Sequence, residues 1–586
     1  MKRLFLFGAI VLAALIAISF ISNQKAINTD LNSFKARNIV RCSPDWDYVN
    51  TILEDADIPP MPGAGKYHWK LRTTNDSAQF YFNQGINMYY GFHIIEALAS
   101  FQKAAKFDPQ NPMLWWAQAL AYGPNINDVG YKANVEAYNA ALKAKELMQN
   151  VQPFEQLLIE AMTTRYSEDS TISREKLNQA YVDGMQKAFR QYQNNIDVAT
   201  LYADAMMLQH PWDLWFNNGK PKTWTPVIRS VLEGVLRKNP EHPGANHYYI
   251  HVMEASPEAA KALPSADRLG SLTPGLAHMV HMPSHIYLRT GNFKKGSQIN
   301  EEAIAQFQKY SSLFPAVQEN IFIYLLHNRH MQVNCALLAG RYEYAKKAAE
   351  ELRQGIDTSY LSLDAPMGAA VQYIYMTPVL LDVHFGKWEN ILQLPQPKES
   401  HLYAMILHSF ARGMAFAGQN KLQDAHHEFS RLQQLMKDSS LKIPFGAFSS
   451  AYDGAVVAGN ILQGSIALKE KKYTEANSFF DKAVKAEENM VYNEPRDWIL
   501  NPKQYAGMAY LAAGQWEKAE EIFRNDLHVN DQNVWALNGL RLSLEKQNKN
   551  SEAKKIVENL EIAYKEGRLE LPHKGMQNGE VLFTDY

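Results

Sequence analysis

From residue 78 onward, apolar and small residues fall at spacings of three and four, and runs alternating every second position are nearly absent. Gly, Pro and Asn-Pro break this rhythm at short intervals, so the pattern predicts an all-α chain of short helices joined by tight turns. One stretch sets the template. Tyr81, Gly85, Ala97, Phe101, Ala104 and Pro109 are separated by 4, 12, 4, 3 and 5 positions. Such spacing suits two antiparallel helices: small residues at 85 and 97 let the helices approach, Phe101 fills the space beside them, and Pro109 stops the second helix.

The template recurs. Trp115 and Ala119 stand 34 residues after Tyr81 and Gly85. Further copies carry Gly291 and Phe293; Gly340, Tyr342 and Ala345; Gly413, Ala425 and Phe429; Gly464, Tyr473, Ala476, Phe480 and Ala483; and Gly514, Trp516, Ala519 and Phe523, with a degenerate unit from Trp535 and Gly539. This spacing resembles the tetratricopeptide repeat over most of residues 78 to 560. The resemblance implies a right-handed solenoid of helical hairpins with a concave face. It also implies that the first helix of each hairpin lines that face, with repeat positions 2, 5, 9 and 12 directed into the groove.

The expected organisation is a signal peptide or membrane anchor at 1–22, an N-terminal extension at 23–76, and a repeat pair at 77–150. An irregular helical region at 151–242 precedes His-rich hairpins at 243–359, a helical region at 360–440, and C-terminal repeats with a tail at 441–586. The first segment is expected from Lys2 and Arg3 followed by an apolar run from Leu4 to Ile21, which reads as an export signal or an anchor. The expected location is therefore the periplasm or the outer face of a membrane. A net charge of −2 gives no whole-chain argument for nucleic acid. Two cysteines, Cys42 and Cys335, are too few for a disulfide framework or a thiolate cluster.

Histidine placement carries the chemistry. With Gly291 at repeat position 15, His278, His281 and His285 take positions 2, 5 and 9. One period earlier, His247 and His251 take positions 5 and 9, and Glu254 takes position 12. In the following unit Gly340 places His327, His330 and Asn334 at positions 2, 5 and 9, provided the insertion at 311–325 leaves the register intact. Three successive first helices thus direct histidines toward one region. Imidazole suits zinc, iron and copper, and histidines at i, i+4 on one helix with ligands from a neighbour make helical metal sites. The expected ligands are His247, His251, Glu254, His278, His281 and His285, with Glu254 also a candidate general base. His327, His330 and Asn334 would line the groove, as would Asn125 and Asn127 from the loop that interrupts the second unit.

Two functions follow. One is an exported scaffold that binds a peptide or protein in its groove and carries a His-lined site for a divalent transition metal. The other is a metal-dependent enzyme, hydrolytic or oxidative, built on residues 247–285. The same histidines could instead hold an acidic ligand without metal, or bond within the hairpin stack. HPWDLW and YNEPRDW read as structured turns, the second also as a lid over the groove. A phosphate-binding glycine loop and a G-x-S-x-G nucleophile motif are both absent from the sequence.

Overall fold

A computed structural model describes residues 44, 46–127, 131, 135–149, 151–216, 219–317, 321–445, 448–494 and 498–566. The apolar run at 4–21 and Cys42 lie outside the described residues, and so therefore do the anchor and localisation expectations. Among the described residues, no helix is long and apolar enough to cross a membrane.

The described chain is an all-α solenoid of tetratricopeptide-type hairpins. Its only β features there are two isolated bridges, Trp215 with Pro221 and Pro444 with Ser450. The first hairpin pairs Asp76–Tyr90 with Ile94–Phe107, starting at the Asn75 cap, whose side chain accepts from the amides of Ser77 and Ala78. The close approach expected at Gly85 is real. A Cβ there would lie 2.4 Å from the Phe101 ring, and one at Gly464 would lie 2.9 Å from Phe480.

The turn between the two helices has its own rule. Repeat position 15 is left-handed in successive units, at Gly291, Gly340, Gly386, Asn420, Lys471, Gly514 and Asn548. These are mostly glycine and asparagine, the residues that tolerate this conformation best. In the first hairpin the position is Phe92, at φ 57°.

Two segments are more regular than the sequence pattern suggests. The extension holds a helix at Trp46–Asp55, and residues 151–242 form successive helices at Pro153–Thr164, Arg174–Gln191, Ile196–Gln209 and Thr225–Lys238. Their packing relies on other contacts than the Gly/Ala/Phe template, such as Gly184 against Ala161.

Long-range contacts fold the array onto its middle. Before the first hairpin, Tyr67 donates to Asp197 at 2.8 Å, and Gly275 donates to the carbonyl of Gly63 at 2.9 Å. From the C-terminal repeats, Trp535 packs with Leu288, Met331 and Cys335, and its indole donates to the carbonyl of Leu337 at 2.8 Å. The His-rich hairpins are therefore enclosed by both ends of the described chain.

Candidate metal centre

Three first helices supply the site: Pro243–Glu254, the pair Ala277–His281 and Pro283–Arg289, and Ile321–Leu338. Pro283 has no amide to donate, which marks the break between the second pair, yet the chain continues helically through Met282. His281 and His285 stay one turn apart on either side of it.

The histidines form two groups. His247, His251 and His278 make one triad and His281, His285 and His327 the other, the ligand atoms of each lying within 4.8 Å of one another. In the first triad His247 Nε2 stands 3.1 Å from His251 Nε2 and 3.2 Å from His278 Nε2. In the second, His281 Nε2 stands 2.9 Å from His285 Nε2, and the His327 ring lies 4.7 Å from His281 and 5.4 Å from His285 between centroids.

Four outer nitrogens are tied down, and His278 Nδ1 has no hydrogen-bond partner. His247 Nδ1 is 2.6 Å from the carbonyl of Tyr90, an acceptor only, so this nitrogen donates. His251 Nδ1 meets Glu494 at 2.9 Å and Glu254 at 3.2 Å. His285 Nδ1 meets the other oxygen of Glu254 at 2.7 Å, and Tyr492 donates to that same oxygen at 3.1 Å. His281 Nδ1 lies 2.6 Å from Asn300 Oδ1, and the Asn300 amide nitrogen donates to the carbonyl of Gly296, which turns the oxygen toward the ring. Glu494 also accepts from the indole of Trp212 at 2.9 Å.

Burial governs the charge of these rings. It lowers His281 to about 3 and His285 to about 4, with His251 and its neighbours adding repulsion. Burial also drives His247, His278 and His327 well below the ordinary histidine range. His251 is the exception. Burial opposes its charged form, but the charge of Glu494 and hydrogen bonds to Glu254 and Glu494 outweigh it and raise the ring to about 9.

Phe92 caps the first triad. Its ring lies 4.5 Å from His247, 5.7 Å from His278 and 5.8 Å from His251 between centroids. A phenylalanine with positive φ costs on the order of 1–3 kcal/mol, and here the strained backbone puts an apolar ring over three imidazoles.

The sequence-based expectations fare unevenly in space. His247, His251, His278, His281, His285 and Glu254 are all brought together, but inside the protein, each no more than 4% exposed, rather than on an open concave face. Equal repeat positions do not meet. Position 5 of one unit meets position 2 of the next, so His247 pairs with His278 and His281 with His327, while Glu254 reaches His285, 31 residues on. His327, expected to line the groove, stands with His281 and His285 in the second triad. His330 is half-buried beside Tyr373 and has no partner for Nε2, and Asn334 donates to the carbonyl of His330; neither joins a triad. Asn125 accepts from the amide of Asn127 in a local turn. Its neighbour Pro124 is held by the Arg165 guanidinium. Cys335 is buried, and burial raises its thiol far above the ordinary range, which removes it as a nucleophile.

Trp212, Asn300, Tyr90 and Phe92 were not expected at the site, and Tyr492 and Glu494 were expected only as part of a turn or lid over the groove. Glu494 and Trp212 come from YNEPRDW and HPWDLW, whose aromatic and acidic residues were the visible signal.

No protein-family model and no curated protein sequence matches this chain. Among solved structures, it is similar to a human IFIT1 dimer with m7Gppp-AAAA at 13% identity, with 84% of this chain and 90% of that one covered and a TM-score of 0.30. It is similar to the APC/C hetero-tetramer Cut9–Hcn1 at 13% identity, with 81% and 78% covered and a TM-score of 0.27. For the TPR domain of P58(IPK) the values are 11% identity, 80% and 98% covered, and a TM-score of 0.18.

Proposed function

We propose that this chain is a helical-repeat metalloprotein, whose buried histidines hold a transition metal between successive hairpins. One observation carries the reading: the inner nitrogens of His281 and His285 face each other at 2.9 Å while both outer nitrogens are committed to acceptors. With Asn300 and Glu254 taking the Nδ1 protons and both rings neutral, the two Nε2 atoms present lone pairs to each other. That contact is repulsive unless a cation accepts both. Two nitrogens about 2.0–2.1 Å from one ion, at angles of about 90–110°, stand about 2.8–3.4 Å apart. The His247–His251, His247–His278 and His281–His285 spacings fall in that interval. Orientation of a histidine through its other nitrogen by a carboxylate, carbonyl or amide is the usual support for a metal ligand.

Three neutral imidazoles suit zinc, copper or iron, and a bound ion there supplies Lewis-acid or redox chemistry. The chain's own contribution is to fix the rings, to hold Glu254 between them, and to exclude water with Phe92. A cavity of about 190 Å³ lined by Trp215, Arg289, Tyr492, Trp498, Lys503 and His528 lies beyond Tyr492, whose hydroxyl bonds Glu254. None of the triad histidines lines it. A peptide lying in an open groove is not supported at these histidines, because they are buried; a protein partner would use other surfaces.

Elemental analysis of full-length protein grown in metal-replete medium tests the proposal. Stoichiometric transition metal in the wild type, reduced in His285→Ala, is expected. Wild-type protein free of metal under those conditions contradicts it.

A further inference from the structure

The two triads are one motif written twice. Each takes positions 5 and 9 from one unit and position 2 from the next: His247, His251 and His278, then His281, His285 and His327. In both, the position-5 and position-9 rings turn Nε2 toward each other and Nδ1 toward a fixed acceptor. The next step of the same rule falls on His330, Asn334 and Tyr373, where only one imidazole remains. The series therefore has two complete members.

They are adjacent and share a carboxylate. The rings of His278 and His281 lie 6.0 Å apart and those of His251 and His285 6.3 Å apart. Glu254 holds His251 with one oxygen and His285 with the other, so one side chain orients a ligand in each triad.

Resting on the metal-binding reading above, we infer that the chain holds two ions, one per triad, and that they are a pair of cuprous ions. Charge decides the second part. As metal ligands the six imidazoles are neutral, the proton on His251 being released when an ion binds. Glu254 and Glu494 bring two negative charges, and the Arg289 guanidinium, which donates to the carbonyls of Glu254 and Ser256, returns one positive charge. Two divalent ions would leave three uncompensated positive charges in a buried site, and two monovalent ions leave one. Burial of unbalanced charge is strongly unfavourable. Among the metals that imidazole binds well, copper has the accessible monovalent state.

Anaerobic titration of the metal-free full chain with cuprous ion, against a coloured cuprous chelator, is the test. Two equivalents are expected in the wild type and one in each of His251→Ala and His285→Ala. The wild-type stoichiometry does not depend on the variants folding, and circular dichroism reports whether they do. One equivalent in the wild type overturns the two-ion inference and leaves the metal-binding proposal standing. Two equivalents of zinc with no uptake of cuprous ion overturn the copper assignment alone. No uptake of cuprous, zinc or ferrous ion overturns both.

Discussion

Two hairpins of this protein share a backbone plan and bury opposite chemistries. Repeat positions 2, 5 and 9 are His278, His281 and His285 in one, and Leu407, Phe410 and Met414 in the hairpin that turns at Asn420. All six side chains are buried. The repeat thus determines that these positions lie inside, and the side chain determines what burial requires. Leucine and phenylalanine are stabilised by leaving water. An imidazole must instead find a partner for each nitrogen, and in the histidine hairpin His281 and His285 turn Nε2 toward each other while His278 Nδ1 has no hydrogen-bond partner.

The largest expected effect lies on the apolar side of this contrast. Phe410→Ala should cost about 3–5 kcal/mol of stability through the cavity it leaves, with metal content unchanged, as read by denaturant unfolding and elemental analysis. A loss of metal in that variant would mean that the two regions are not separable.

Asp204 shows what a buried ionisable group does without a histidine cluster. Burial raises its carboxyl to about 6 against the lowering effects of Arg165 and a 2.7 Å bond from Tyr89. A raised folded value stabilises the protein fully below the unfolded value, about 3.9, and this contribution is lost as pH rises through about 6. Wild type should therefore lose up to about 3 kcal/mol relative to Asp204→Asn between pH 4 and 6. Parallel stability profiles for the two proteins would refute the shift.

In metal-free protein, His281→Ala should cost about 1–3 kcal/mol, the range for leaving Asn300 Oδ1 without its donor. In metal-loaded protein it should cost more, because the bound ion's stabilisation is lost as well. Equal losses with and without metal would place the residue in the same category as Phe410. The smallest effect is a gain. Asn334→His combined with Tyr373→His completes the third step of the motif around His330, and should add a weakly held equivalent of metal. Unchanged stoichiometry in a folded double variant would show that position alone does not make a triad.

The hairpins and the histidines on successive first helices were legible because both depend on spacing, and a 34-residue period survives in one dimension. The stagger between units was not. Equal positions such as 247 and 281 suggest direct pairing, whereas packing sets His247 against His278. Glu494 and Tyr492 were legible only as part of a turn or lid, not as partners of His251 and Glu254, since they lie about 240 positions away and arrive only through the return of the C-terminal repeats. Phe92 was hidden for a different reason: it sits where other units place glycine or asparagine, and only the backbone geometry shows that it covers the first triad. Residues 151–242 read as irregular because their helices pack without the template's spacing, although Gly184 still packs closely on Ala161.

X-ray absorption at the edge of the bound metal tests the histidine centre most directly. A first shell of nitrogens at about 2.0–2.1 Å, with the multiple-scattering signature of imidazole rings and an amplitude near three nitrogens per ion, is the expected result. A shell of oxygen alone, or one containing sulfur, would place the metal elsewhere in the protein and contradict the assignment.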